Sequence, residues 1–397
     1  MSEDSITAID LSTQRQRVIG HFNGNNEGPT LIFVAGIHGN EPAGIYALRK
    51  VLRSIEHLKN SYKGNFYAIA GNLSALEKGI RYNKQDLNRL WTKENLVNIQ
   101  TEDKTEKTGE LLELHEIYFT IQDILNTEQG PFYFFDLHTT SSQTIPFITL
   151  NDSLLNRKYA SQYPVPIILG IEEFLEGPLL SYINELGYIA FGFEGGQHTD
   201  PASVDHHVAF IYLSLVYSGC LDKTAINFKD YYNRLFRSTE GFQSFFEIIK
   251  RYEIKPFEEF EMAPGFKNFQ AVKKGIRIAQ SNGKPIYSTK DNRIFMPLYQ
   301  GKGNDGYFLI LKTPKIFLRI SAVLRKIHFD RILPLLPGVS WSSETKDELV
   351  VNLKIARFFT KNFLHLLGYR SKQQGKTHLR VKNREVASRE SEYSGYF

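Results

Sequence analysis

The sequence predicts an α/β protein: a mostly parallel sheet flanked by helices, followed by a small all-β module and a helical extension. Three observations carry this expectation. Short, near-continuous apolar runs recur through the first 235 residues, helical periodicity separates several of them, and after about residue 240 the texture changes to brief strand-like pieces punctuated by Gly, Asn, Asp and Pro.

The first run, PTLIFVAGI at 29–37, is apolar almost without a break, as in strands covered on both faces. EPAGIYALRKVLRSIEHL follows with helical period. The strand signal repeats at NFYAIAG (65–71), FYFFDLH (132–138), PFITL (146–150), VPIIL (165–169) and YIAFGFE (188–194). The helical signal repeats at KTGELLELHEIYFTIQDIL and VDHHVAFIYLSLVYSGCL. Together these predict an α/β domain over residues 1–235. From 236 to 312, FFEIIKRYEI, GIRIAQ, KPIYST, RIFMPL and GYFLIL predict the β module. From 313 to 370, PKIFLRISAVLRKI and DELVVNLKIARFFTKNFLHLLGY read as helices that pack against the preceding domain rather than on a membrane surface. Residues 371–397 form a basic tail predicted to be disordered.

Composition narrows the function classes. With 42% hydrophobic and 23% charged residues the 397-residue chain sits in the ordinary soluble range. No apolar run approaches the roughly eighteen residues of a membrane span. MSEDSITAIDLSTQRQ has neither the basic nor the apolar region of a secretory signal, and the lone Cys220 cannot form an internal disulfide, so a cytoplasmic protein is expected. The net charge of +5 comes largely from the tail after Tyr369. No basic face interleaved with aromatics appears elsewhere, so no nucleic-acid partner is expected.

Four motifs carry chemistry. HGNEPAG at 38–44 stands where a buried strand gives way to a helix, and Gly36 and Gly39 let the backbone turn there. His38 and Glu41, three residues apart, can aim a nitrogen and an oxygen at one point, as a tetrahedral zinc site requires. FFDLHTT at 134–140 ends another apolar run and supplies a third ligand, His138; Asp136, two positions earlier, either supports a ligand from behind or pairs with backbone. RYNKQDLNR at 81–89 offers Arg81 for an oxyanion, and Asn88 with Arg89 for a substrate carboxylate. FGFEGG at 191–196 puts Glu194 at a strand end between phenylalanines, where desolvation can raise its pKa into the range of a general acid and base. Glu172, Glu173 and Glu176 compete for that role with less shielding. His198, His206 and His207 read either as a second metal site or as the start of a helix capped by Asp200 or Ser203, with His198 near enough to Glu194 to line the pocket.

The order H-x-x-E, Arg, N-R, D-L-H, strand-end Glu resembles the succinylglutamate desuccinylase and aspartoacylase family, a branch of the zinc carboxypeptidase fold. The likeness covers most of residues 27–312, since family members also carry a small β domain. The resemblance implies one zinc ion per chain on His38, Glu41 and His138, a water activated by Glu194, a carbonyl polarised by Arg81, and a substrate carboxylate gripped by Asn88 and Arg89. It also implies a pocket-closing tyrosine from the β domain, for which Tyr307 is the candidate and Tyr299 the alternative. The arginine that aspartoacylases carry shortly before the catalytic glutamate is missing from SYINELGYIAFG, so the likeness does not extend to an aspartate-type substrate. The expected activity is hydrolysis of the amide of an N-acylated amino acid or related amine. A carboxypeptidase acting on a short or cell-wall-type peptide, and a non-catalytic protein retaining the fold, are the alternatives. The oligomeric state, a homo-oligomer included, stays open.

Overall fold

In the computed structural model, which describes residues 16–101, 104, 107–342, 344, 346–356, 361–374 and 377–396, the apolar runs form strands whose alternate side chains enter two different cores. The chain runs β1 (Val18–Asn23), β2 (Asn26–Ala35), α1 (Ala43–Ile55), β3 (Lys63–Ala70), α2 (Leu73–Lys78), α3 (Lys93–Thr101), α4 (Glu110–Thr127) and β4 (Phe132–Thr140). It continues through β5 (Phe147–Leu150), α5 (Leu154–Ala160), β6 (Ile167–Leu169), α6 (Leu179–Glu185), β7 (Ile189–Gln197), α7 (Ala202–Tyr217) and α8 (Phe228–Ser238). Leu31, Phe33 and Ala35 of β2 join the core formed with α1 and α7, while Ile32 and Val34 join the core formed with α4 and α6. A strand buried on both faces must be apolar at every position, which is why the sequence signal was continuous rather than alternating.

β2 pairs in parallel with β3 on one side and β4 on the other, and β4 pairs in parallel with β7. The strand order therefore reverses at β2, opening a crevice beyond the C-terminal ends of β2 and β4, the place where open α/β sheets bind ligands.

Past residue 235 the structure departs from the expected boundaries. β8 (Phe245–Glu253) pairs in parallel with β6, and β14 (Asp305–Lys312) pairs with β8, so the main sheet continues without a break into an eleven-stranded whole that also takes in β10 (Ala271–Val272) and β13 (Asn292–Phe295). Within residues 236–312, β9 (Phe260–Met262), β11 (Arg277–Ser281) and β12 (Lys284–Tyr287) form a separate sheet. Phe246 and Ile248 of β8 share a core with Phe147 and Ile168, so the strand buries its apolar side against the preceding α/β region rather than within a detached module.

The C-terminal region is likewise not a helical extension with a disordered tail. α9 (Lys315–Lys326) forms as expected, but the segment read as one long helix contains β16 (Glu348–Asn352) and only the short α10 (Lys361–Leu366). Leu349 and Val351 alternate inward with β-branched neighbours, and that two-residue period prevails over the helical one. β15 (Val339–Trp341), β16, β18 (His378–Asn383) and β17 (Tyr369–Gln374) build a four-stranded antiparallel sheet with its own core. The tail ends in a 3-10 turn that buries Tyr393, whose hydroxyl contacts Phe132 and accepts the Ile189 N–H at 3.0 Å. The basic composition was misleading because Arg384 finds buried acidic partners more than two hundred residues earlier in the chain. Among the described residues no helix is long and apolar enough to cross a membrane.

Candidate functional site

The crevice receives its side chains from strand ends. Gly36 sits at φ +72°, and a Cβ on Gly39 would lie 2.1 Å from the Ala75 carbonyl carbon, so the tight turn after β2 admits only glycine at these points. That turn delivers His38 and Glu41 to the crevice just before α1 begins. On β4, Asp136 and His138 share a face by the two-residue period, and parallel pairing sets His138 opposite Glu194 of β7.

Among the described residues one group of His, Cys, Asp or Glu has donor atoms close enough to share a metal ion: His38, Glu41 and His138, all buried, with ligand atoms within 4.8 Å of one another. Nδ1 of His38 lies 2.9 Å from Glu41 Oε1, and Nδ1 of His138 lies 3.0 Å from Oε2. The far nitrogens are held as well. His38 Nε2 lies 3.0 Å from Asp86 Oδ1 and His138 Nε2 lies 2.8 Å from Asp136 Oδ2. A carboxylate stands behind each imidazole; with a metal ion in place of the Nδ1–Glu41 hydrogen bonds, Nε2 would carry the proton and Nδ1 would offer its lone pair to the shared point, the arrangement typical of metal-binding histidines. Two nitrogens and one carboxylate oxygen, buried and backed in this way, fit zinc.

Burial alone would raise Glu41, but the charge of His38 and hydrogen bonds with both imidazoles outweigh it and hold the carboxyl well below its ordinary value. Burial pushes His138 down, and Asp136 and Glu41 more than reverse that. Asp86 escaped the sequence reading although it lies inside RYNKQDLNR. Burial again opposes, yet His38, Arg81 and Arg89 keep it well below the usual carboxylate range.

Arg81 Nη1 donates to Glu41 Oε1 at 3.3 Å and Nη2 to Asp86 Oδ2 at 3.2 Å, so its guanidinium stands at the rim of the donor cluster. Asn88 lines the same cleft, its Oδ1 accepting the Leu179 N–H at 3.0 Å. Arg89 also lines it, with Nη2 on Asp305 Oδ2 at 3.0 Å. Glu194 faces the cleft with Oε2 buried and without a hydrogen-bond partner. Burial pushes its pKa up to about 8; the charge of His138 opposes, Glu41 and Asp136 add to the rise, and Arg81 opposes. The competing glutamates are engaged elsewhere: Glu172 and Glu173 pair with Arg384, and none of the three lines the cleft.

Tyr307 is not where the resemblance put it. It is buried among Met262, Val272 and Ile278, stacked on Tyr252 with ring centroids 5.3 Å apart, because strand alternation gives the cleft its neighbour Phe308 instead. Tyr299 does not line the cleft either, since its hydroxyl donates to Ala263 O at 2.7 Å and accepts the Phe266 N–H at 2.9 Å. Gln300, which the sequence did not single out, reaches the cleft and takes a hydrogen bond from Asn40 Nδ2 at 3.2 Å.

His206 and His207 do not form a second centre. His206 bonds Gly195 O and Ser238 Oγ, each at 2.6 Å, and His207 Nδ1 donates to Ser203 O at 2.7 Å. Asp200 Oδ1 accepts the Ala202 N–H at 2.9 Å, starting α7 as expected. His198 does line the cleft, its Nδ1 2.8 Å from Thr139 Oγ1. Burial holds His207 down to about 4. A histidine depressed below its unfolded value contributes stability that is fully present above about pH 6.5 and lost as the pH falls toward 4. Between pH 7.5 and 5 this one group is expected to remove about 2 kcal/mol. His207→Phe should flatten the urea-measured stability by that amount relative to the wild type over the same interval, and identical slopes for the two proteins would refute the assignment.

The family model for the succinylglutamate desuccinylase/aspartoacylase catalytic domain matches residues 27–204. Over these residues the chain is similar to the catalytic domain of that family. The chain is 31% identical over 136 residues to a succinylglutamate desuccinylase of Photorhabdus laumondii, covering 34% of this chain and 40% of the relative. A succinylglutamate desuccinylase of Pseudomonas syringae matches at 39% over 66 residues, 17% of this chain and 20% of the relative, so the chain spans two fifths or less of these relatives' lengths. In fold it is similar to a succinylglutamate desuccinylase/aspartoacylase of Rhodobacter sphaeroides, with a TM-score of 0.55 and 16% identity over 74% of this chain and 88% of that one. The match of residues 27–204 to the desuccinylase/aspartoacylase family model and the α/β fold agree with the resemblance drawn from the motifs.

Proposed function

We propose that the protein is a zinc-dependent amidohydrolase that removes the acyl group of a small N-acylated amino acid or related amine bearing a carboxylate. The observation that supports this best is the convergence of three buried donors within 4.8 Å, each imidazole backed by a carboxylate, beside a buried glutamate with an unengaged oxygen. His38, Glu41 and His138 would hold one zinc ion. Bound there, zinc supplies Lewis acidity toward a carbonyl and lowers the pKa of water. Glu194 takes the proton of the attacking water on Oε2 and returns it to the leaving amine, a double duty that a pKa near neutrality favours. Arg81 stabilises the developing oxyanion with its guanidinium, already oriented by Glu41 and Asp86. Asn88 and Arg89 bind the substrate carboxylate, Arg89 being oriented by Asp305.

Purified without chelator, the protein is expected to carry about one zinc per chain, and His38→Ala or His138→Ala to carry almost none by elemental analysis. A screen of N-acyl amino acids beside dipeptides then identifies the scissile amide. Full activity after exhaustive chelation would sink the reading, and cleavage of dipeptides alone would replace it with a carboxypeptidase.

A further inference from the structure

α9 buries polar residues and exposes an apolar stripe. Its buried residues are Ser321 and Arg325, one turn apart, with Leu318 and Leu324 partly packed against neighbouring cores, while Ile316, Phe317, Ile320 and Val323 face solvent. Arg325 pairs with Asp152 and Glu385 at 2.9 Å each, and Ser321 Oγ donates to Leu366 O at 2.7 Å, so polar contacts fix the inner face. The outer face carries Ile316, Ile320, Val323 and Ile327 at the 4-3-4 spacing of a single stripe, with Phe317 beside it; Val323 is 57% and Ile327 63% exposed. The following turns add Ile332, Leu335 and Leu336, Leu335 being 83% exposed. Nearly half of the exposed large hydrophobic residues among the described ones fall between Leu311 and Leu336. Apolar surface concentrated in this way marks an interaction site.

The charges around it select the partner. Lys312, Lys315, Arg319, Lys326 and Arg331 are all exposed, and no exposed Asp or Glu lies between residues 312 and 340; Asp330 is buried. A second copy docking face to face would bring this cationic rim against itself. An anionic lipid surface satisfies both features, receiving the apolar stripe between its headgroups and the cations at them. We propose that α9 and the turns after it, through Leu336, form a peripheral docking surface for anionic membrane lipid, lying in the interface without crossing it.

The test uses the full chain and vesicles of phosphatidylcholine and phosphatidylserine in equal parts, with phosphatidylcholine alone as the comparison. Co-flotation with the mixed vesicles is expected, weakening as salt is raised. Phe317→Asp/Ile320→Asp should abolish it. Neutralising Lys315 and Arg319 to glutamine should weaken it roughly twenty-five-fold, at about fivefold per charge. All four residues are exposed, so thermal unfolding should be unchanged. Should the aspartate pair fail to fold, the glutamine pair still decides. Absence of flotation, equal binding to both vesicles, or a dimer in sedimentation equilibrium that the aspartate pair dissociates would overturn the proposal.

Discussion

Replacing Glu194 with glutamine is expected to lower kcat on a cleavable substrate by about 10²- to 10⁴-fold while zinc content stays at the wild-type level. Glutamine has the same shape, so packing between Phe193 and Gly195 is kept, but its amide cannot accept and return a proton. In the zinc-free protein the same change should raise the melting temperature. Burial lifts the Glu194 carboxyl to about 8, so the folded chain resists ionising a group that ionises readily when unfolded, and stability declines as the pH rises from the ordinary carboxylate range toward 8. An uncharged residue escapes that penalty, and a site that loses rate while gaining stability is held for function rather than for folding. Undiminished kcat in Glu194→Gln, measured on a verified substrate, would rule out the proposed proton transfer.

How much of this site could be read beforehand depends on how far apart its partners stand in the chain. β2, β4 and β7 were legible because strands covered on both faces are apolar throughout, and His38, His138 and Glu194 were legible because they interrupt that pattern where each strand leaves the core. Asp86 was passed over since its meaning lies in an imidazole 48 residues away. Tyr307 was misplaced because D-G-Y-F does not say which side of the strand meets the cleft; the structure gives that side to Phe308. Arg384 and Tyr393 looked like solvated tail residues for the same reason. Their partners, Glu172, Glu173 and the start of β7, belong to segments that composition cannot connect with residue 384 or 393.

Those distant partners lead to the second large effect, a loss of about 3 to 5 kcal/mol in Asp152→Asn. Three guanidinium groups converge on this buried carboxylate: Arg157 by two contacts, one of them at 2.6 Å, Arg325 at 2.9 Å and Arg384 at 3.4 Å. Burial opposes its charge, but Arg157, Arg325 and Arg384 more than compensate and hold Asp152 far below the normal aspartate range. A depressed carboxylate contributes stability above its unfolded pKa, about 4, and loses that contribution as the pH falls below it, so the variant should differ from the wild type at neutrality and converge with it in acid. Removing one charge costs more than the pair is worth because fully buried Arg325 then keeps Glu385 as its carboxylate partner, beside backbone carbonyls that carry no charge. Urea unfolding at pH 7 measures the loss. A loss under about 1 kcal/mol would class the cluster with surface ion pairs. Location gives the cluster its consequence for function. Leu150 and Asn151, just before Asp152, line the cleft, as do Ile171 and Leu175 on either side of the paired glutamates. Loosening this anchor should therefore expose the C-terminal sheet to limited proteolysis and raise KM before it touches the chemistry at Glu194.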